Sequence, residues 1–286
     1  MNVAILGAGG MLGGMLSWFL EQNKVDFDAF DRKKFTVCLG SDTWLDLSEV
    51  LLDETGNFKY DYIINCLGAI KPGFEAKERV ATNIFVNAVF PRELTEFVEA
   101  SNTGSTVQAR VIHITTDCVY SGKVGKYTEH SPHDANDMYG MSKSLGESQD
   151  AMVIRTSIIG PEWNGNKKSL LEWFLANYSV GHLNGYTNHL WNGITTLELS
   201  KILLRIMTEN LWEKGTFHVF SEDIDKASLL KLFASSWGLK VEVNVVDAPN
   251  PCDRTLRSVK SLNVTPASQQ KMLSDLAPFI MERALV

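Results

Sequence analysis

The stretch Val3-Ala4-Ile5-Leu6-Gly7-Ala8-Gly9-Gly10-Met11-Leu12-Gly13 decides the fold. Its four leading apolar residues read as a buried strand. Met11, Leu12, Met15, Leu16, Phe19 and Leu20 then repeat at the spacing of an amphipathic helix. Between strand and helix stand glycines, and each has a mechanical reason. Gly7 permits a tight turn, Gly10 lets the backbone approach a pyrophosphate, and Gly13 lets the helix pack close to the strand. A pyrophosphate would rest on the free N–H groups of the helix start. The loop residues Gly9, Met11 and Leu12 would then border a dinucleotide as well.

Outward from this unit the alternation continues. Val25 to Phe30, Tyr60 to Asn65, Arg110 to Thr115 and Met152 to Arg155 read as strands, with helical patterns between them. The longest runs from Glu78 to Glu99, and Pro91 inside it predicts a kink or break. Strands alternating with helices imply a parallel sheet covered on both faces, a doubly wound α/β fold of the Rossmann type. After Arg155 the loops become rich in Gly, Asn and Trp, as in 160–166 and 185–193. A helix from about Thr196 to Glu209 and a strand from Thr216 to Phe220 are expected to return to the main sheet. The expected division is an NAD(P)-binding domain over 1–160, with elements near 190–222 returning to it. A smaller substrate-binding lobe is expected from 161–189 and 223–286.

Composition narrows the function. The 286 residues are 44% hydrophobic and 21% charged, with a net charge of −7. These are globular values, and the acidic balance argues against a nucleic-acid or membrane-surface partner. No apolar run approaches the ~18 residues of a membrane span. The first residues lack the basic start of a signal peptide. Cys38, Cys66, Cys118 and Cys252 are scattered without metal-ligand spacing, so reduced thiols, no metal and a cytoplasmic protein are expected.

The second strand ends in Phe30-Asp31-Arg32-Lys33-Lys34. A carboxylate there accepts from adenosine ribose hydroxyls, whereas a guanidinium meets a 2′-phosphate, so Asp31 and Arg32 point to NAD(H) and NADP(H) respectively. If the chain turns directly after Asp31, the basic residues can swing over the ribose, which favours NADP(H) with NAD(H) also accepted. Asp46 and Leu47 are candidates to border the adenine. Tyr139-Gly140-Met141-Ser142-Lys143 places a phenol and an ammonium on one helix face. The cation is expected to favour the phenolate and bring Tyr139 toward proton transfer at neutral pH. Thr116, at the end of a parallel strand, could hold a carbonyl beside it. Asp117 follows, as a substrate contact or a loop-shaping residue.

Together these segments resemble the extended short-chain dehydrogenase/reductase family, whose GxxGxxG spacing the first loop shares. The chain is most similar there to dTDP-4-dehydrorhamnose reductases and sugar-nucleotide reductases of surface-polysaccharide pathways. The resemblance rests on Gly7 to Gly13, Asn65-Cys66-Leu67-Gly68-Ala69, Asn83, Thr115 to Gly122, Tyr139 to Glu147 and Ile154-Arg155-Thr156-Ser157. It implies reduction of the 4-keto group of a nucleotide-diphosphate 6-deoxysugar. Tyr139 would be the proton donor, Lys143 the nicotinamide-ribose ligand, and Thr116 the partner of the substrate carbonyl. It also implies cofactor contacts from Cys66, Leu67, Gly68 and Asn83, and substrate contacts from Thr156, Ser157 and Arg254, the last to phosphate. Thr195 stands where the rhamnose-type reductases usually carry proline, and Cys118 where tyrosine is frequent. The first helix has no acidic residue near Met15, which speaks against a magnesium-bridged homodimer and leaves other homodimers open.

Two alternatives stay open on these residues. One is an epimerase or dehydratase on the same scaffold. The other is a non-catalytic NADP-binding regulatory subunit, since fold does not dictate function. Among the remaining residues, His113 reads as a core histidine, and His130 and His133 as exposed loop residues. Trp173 reads as core, and Trp163 and Trp191 as rings that could stack on a base or sugar, Trp191 the better of the two.

Overall fold

The computed structural model describes residues 1–163 and 167–284, so part of the Asn-rich 160–166 loop lies outside the described residues. In chain order the elements begin β1 (Asn2–Leu6), α1 (Met11–Gln22), β2 (Asp26–Phe30), α2 (Thr43–Leu51), β3 (Tyr62–Asn65), α3 (Val80–Ile84), α4 (Phe90–Asn102), β4 (Arg110–Thr116), α5 (Met138–Leu145) and β5 (Met152–Thr156). There follow β6 (Ile158–Ile159), α6 (Leu170–Asn177), β7 (His182–Tyr186), β8 (His189–Trp191), β9 (Ile194–Thr195), α7 (Thr196–Thr208), β10 (Gly215–His218) and β11 (Ile224–Asp225). The chain closes with α8 (Lys226–Trp237), β12 (Glu242–Val246), β13 (Cys252–Asp253) and α9 (Gln269–Ala284).

Six strands pair in parallel in the order β10-β5-β4-β3-β1-β2. The period of two along each strand sorts its residues onto two cores. Val3 and Ile5, Tyr62 and Ile64, and Ile112 and Ile114 face one side, where Leu12, Leu16 and Leu20 of α1 and Ile202, Leu203 and Ile206 of α7 cover them. Ala4, Leu6, Ile63 and Val111 face the other, under Leu51 of α2 and Phe90, Leu94 and Phe97 of α4. Leu47 belongs to that second core and is fully buried, so its side chain is spent on packing, in contrast to the adenine border expected from sequence. The strand expected near 216–220 does join the main sheet, as β10 beside β5.

A third core joins Leu171 and Phe174 of α6 to Leu229, Leu230, Phe233 and Trp237 of α8 and to Leu273, Leu276 and Ile280 of α9. Met15, on the flank of α1, is fully buried in it. Trp173 is 41% exposed, because α6 turns Leu171 and Phe174 inward and leaves Trp173 on its outer face. Helical spacing alone did not say which face would be covered.

The long helical pattern around Pro91 is broken, as its proline predicted. After α3 the backbone widens into a π turn over Phe85–Val89, and Pro91 stands in the first turn of α4. Proline has no N–H for the carbonyl four residues back, that of Asn87, and the ladder opens there.

Candidate active site

A parallel sheet binds ligands outside the carboxyl ends of its strands, where the strand order reverses. Here that point lies at β1, whose neighbours are β2 on one side and β3 on the other. The glycine loop leaves β1 at this place. Gly7 adopts φ +89°, and its N–H and that of Ala8 donate to the Phe30 carbonyl. A Cβ on Gly13 would lie 2.2 Å from the Gly7 oxygen and 2.8 Å from the Ala8 Cα. Only glycine therefore lets α1 start so close to the strand. Gly10 caps α1 with no side-chain bond, and no acidic residue stands in its first turn. The N–H groups of Met11 and Leu12 thus head an uncapped, positive helix end. This is the donor set a pyrophosphate needs, and the residues present fit a dinucleotide.

The loop after β3 closes against it. Cys66 N–H donates to the Leu6 carbonyl, and a Cβ on Gly7 would meet the Leu67 nitrogen at 3.0 Å. Cys66 is half-buried, and desolvation pushes its thiol up to about 12. Gly68 leads toward Lys143, since a Cβ placed there would stand 3.7 Å from Lys143 Nζ. On the β2 side the chain turns at once after Asp31. The Asp31 carboxylate accepts the N–H groups of Lys33 and Lys34 at 2.9 and 3.2 Å, and Arg32 is exposed. Asp46 lies in the first turn of α2, partly buried.

Thr116 ends β4 and opens a single helical turn, Asp117–Val119. Its Oγ1 accepts the Cys118 N–H at 3.1 Å and donates to the Asp117 carboxylate at 3.1 Å. Asp137 caps α5 by accepting the Gly140 N–H at 2.9 Å and pairs with Lys71 at 2.7 Å. A Cβ on Gly140 would fall 2.2 Å from the Cys118 carbonyl oxygen, so glycine lets α5 press onto the loop after β4. That contact delivers Tyr139, the second residue of α5, to the neighbourhood of Thr116. Thr156 pairs in register with Thr116, and Ser157 follows it at the same sheet edge.

Lys143 is buried, and its ammonium donates to the Ile114 carbonyl at 3.1 Å. Burial holds its pKa down to about 8 against the pull of Glu147. The expected lowering of the Tyr139 pKa by Lys143 is not what the structure displays. Burial pushes the phenol above its ordinary value, Cys118 adds to the rise, and Thr116 opposes it. The lysine amine is directed along β4 instead. Tyr139 is accordingly a protonated phenol, in the state of a proton donor.

Other expected site residues have different surroundings. Asn83 donates its amide to the Gly73 carbonyl at 2.7 Å rather than toward the glycine loop. Asn87, which the sequence reading passed over, is fully buried and does the joining. Its carboxamide accepts the Ala69 N–H at 2.8 Å, and it donates to the Ala69 carbonyl at 3.0 Å and to Ser142 Oγ at 3.1 Å. It thereby ties the loop after β3 to α5.

Trp191 is a buried residue of β8 rather than an open loop ring. Its indole N–H donates to Ser157 Oγ at 2.8 Å, and the Lys226 ammonium stands 5.2 Å from the ring centre. Trp163 lies over Gly14 and edges onto Phe279, which places it on the back of α1. Arg254 donates from Nε to the Tyr120 carbonyl and from Nη2 to the Ser121 carbonyl. Asp117 is buried beside Arg254 and Lys226; burial raises its pKa and the two cations oppose that.

The histidines stand elsewhere. His113 is buried in β4 with both ring nitrogens unpartnered. His130 and His133 line a polar cavity of about 350 Å³ with Glu147, Arg155 and Thr216. His133 bonds Ser144 Oγ through Nδ1 at 2.5 Å.

Fold and site together define a dinucleotide-binding Rossmann-type protein with a threonine, a tyrosine and a lysine gathered at the carboxyl edge of its sheet. The family described as the RmlD substrate binding domain matches residues 1–273, and the chain belongs to it. A spore coat polysaccharide biosynthesis protein of Bacillus subtilis is 28% identical over 163 residues, 54% of this chain and 52% of that protein. A dTDP-4-dehydrorhamnose reductase of Mycobacterium tuberculosis is 30% identical over 169 residues, 54% of this chain and 49% of that protein. The chain thus spans about half the length of the curated relatives it matches. Among solved structures, a dTDP-4-dehydrorhamnose reductase of Clostridium acetobutylicum superposes with a TM-score of 0.77 at 18% identity, covering 98% of this chain and 100% of that one. One from Bacillus anthracis in complex with NADP gives 0.77 at 20% identity, covering 98% and 99%.

Proposed function

We propose that this protein is an NAD(P)H-dependent reductase of the 4-keto group of a nucleotide-diphosphate 6-deoxysugar, acting in polysaccharide precursor synthesis. One observation carries the reading: Tyr139 stands beside Thr116 at the end of β4, and Lys143, one turn along the same helix, reaches the Ile114 carbonyl beside the Gly68 loop, which closes against the uncapped start of α1. The names of the relatives, a dTDP-4-dehydrorhamnose reductase and a polysaccharide biosynthesis protein, support the choice of substrate class.

When bound, the nicotinamide supplies the hydride. The residues do the rest. Gly7, Gly9, Gly10, Met11, Leu12 and Gly13 hold the pyrophosphate. Cys66, Leu67 and Gly68 line the opposite wall, and Lys143 holds the ribose. Arg32 faces the 2′-phosphate of NADP(H), because the Asp31 carboxylate is engaged by its own turn. Thr116 hydrogen-bonds the substrate carbonyl, and Tyr139 gives its proton to that oxygen as hydride arrives at carbon. Thr156, Ser157 and Asp117 border the sugar, Arg254 meets phosphate, and the lobe formed by 161–189 and 223–286 covers the nucleotide.

The test is NADPH oxidation, followed at 340 nm, with dTDP-4-keto-6-deoxyglucose and its 3,5-epimer, alongside Tyr139→Phe. Turnover by the wild type and a loss of at least ~10²-fold in the variant are expected, the scale of a positioned proton donor. NADPH binding without turnover of any keto-sugar nucleotide would instead favour the regulatory-subunit reading.

A further inference from the structure

Behind Lys143 lies a group of buried polar atoms that, among the described residues, have no hydrogen-bond partner. They are Asn65 Nδ2, both ring nitrogens of His113 and Thr115 Oγ1. They share one face of the sheet. His113 and Thr115 follow Val111 along β4 at intervals of two, on the side covered by α4, and Asn65 of β3 pairs in register with His113. The Asn65 carboxamide has a fixed sense, since its Oδ1 accepts the Leu67 N–H at 3.0 Å and leaves Nδ2 as the free end.

Lys143 closes the group from the helix side. Its ammonium donates to the Ile114 carbonyl, between His113 and Thr115 in the chain, at 3.1 Å. Among the described residues that is its one acceptor. The loop after β3 brackets it, with a Cβ on Gly68 falling 3.7 Å from Nζ. Buried donors and acceptors left without partners are costly. This set can be satisfied by a single molecule. Lys143 and Asn65 offer N–H groups. His113, kept neutral by burial and by the nearby Lys143 cation, offers a ring lone pair, and the Thr115 hydroxyl can accept. Two donors facing two acceptors suit water, which buried polar sites of this kind hold. A metal ion would be repelled by the ammonium, and an anion would leave both acceptors unpaired.

We propose that Asn65, His113 and Thr115 hold an ordered water molecule against the Lys143 ammonium, and that through it His113 and Thr115 are positioning residues for Lys143. The water accepts from Lys143 and Asn65 and donates to His113 and Thr115. It supports the charged amine from behind and leaves a further N–H for the cofactor ribose. The kinetic consequence rests on the reductase reading above; the water site does not.

The titratable groups facing Lys143 are Glu147 beyond α5, Cys66 after β3 and His113 in β4. Cys66, pushed up to about 12, is uncharged, and Glu147 is paired with Arg155 at 2.6 Å. Taking an acceptor from the water weakens its support of the ammonium, so Lys143, already held down to about 8, should lose its proton at lower pH.

A crystal structure of the NADP⁺ complex, at a resolution that orders water, should show a water within hydrogen-bond distance of Lys143 Nζ, Asn65 Nδ2, Thr115 Oγ1 and a His113 ring nitrogen. Thr115→Val keeps the side-chain shape and removes an acceptor, whereas Thr115→Ser retains it. The alkaline limb of kcat/KM for NADPH should move down by roughly 0.5–1 pH unit in Thr115→Val and stay in place in Thr115→Ser. A map without that water, an unmoved limb in Thr115→Val, or an equal shift in Thr115→Ser overturns the assignment. Should Thr115→Val fail to fold, the map decides alone. A wild type that shows the water and binds NADPH but turns over no keto-sugar overturns the reductase reading and leaves the water site standing.

Discussion

Replacing Asn87 by alanine should damage stability and cofactor binding together. The side chain is fully buried and makes three bonds, of 2.8, 3.0 and 3.1 Å, two to the backbone of Ala69 and one to Ser142. At about 0.5–1.5 kcal/mol net for each bond, the loss is roughly 2–4 kcal/mol. The better helix propensity of alanine returns about 0.5 kcal/mol. For a chain of this size that corresponds to a fall in Tm of roughly 5–12 °C. The Ala69 N–H and carbonyl would need new partners, and the loop carrying Gly68 would loosen from α5 and Lys143. NADPH affinity should therefore fall about tenfold, equal to one such bond. Thermal unfolding and a fluorescence titration with NADPH measure both effects. Asn87→Asp keeps the acceptor for the Ala69 N–H, loses both donors, and buries a carboxyl group, so it should be no milder than the alanine variant in stability. An Asn87→Ala protein whose Tm falls by less than about 2 °C and which binds NADPH normally would refute the view that this carboxamide joins the loop to the helix.

Two further outcomes follow from the charges. His113 is held well below the ordinary histidine pKa by burial and by the nearby Lys143 cation. The unfolded chain therefore binds a proton there that the folded one refuses, and stability must drop as pH falls below about 6.5. His113→Leu should lessen the slope of unfolding free energy between pH 6 and 5 by roughly 1 kcal/mol per pH unit, read from urea unfolding; an unchanged slope would mean that His113 is protonated in the fold. Arg32→Ala should weaken kcat/KM with NADPH far more than with NADH, most clearly at low salt. An unchanged NADPH-to-NADH ratio would pass the reading of the ribose to Asp31.

Much of this protein was legible because it is local. The glycine loop, the stripe of α1 and the alternation of strand and helix are set by residues a few positions apart, and they suffice for a doubly wound parallel sheet. Thr116 at a strand end and Tyr139 with Lys143 at helical spacing were found in the same way. Other features depended on what packs against what. Leu47 and Trp191 read as ligand borders but are buried, and Trp173 read as core but faces outward. Periodicity shows that a helix has two faces without saying which is covered. Asn87 could not be told from Asn83 in a helical run. Only the π turn before Pro91 aims Asn87 at Ala69 and Ser142, while Asn83 meets Gly73. The meeting of Lys226 and Arg254 with Asp117 joins segments far apart in the chain. Residues at that separation carry no mutual pattern in sequence, and the folding of α8 and β13 onto the end of the sheet is what brings their charges together.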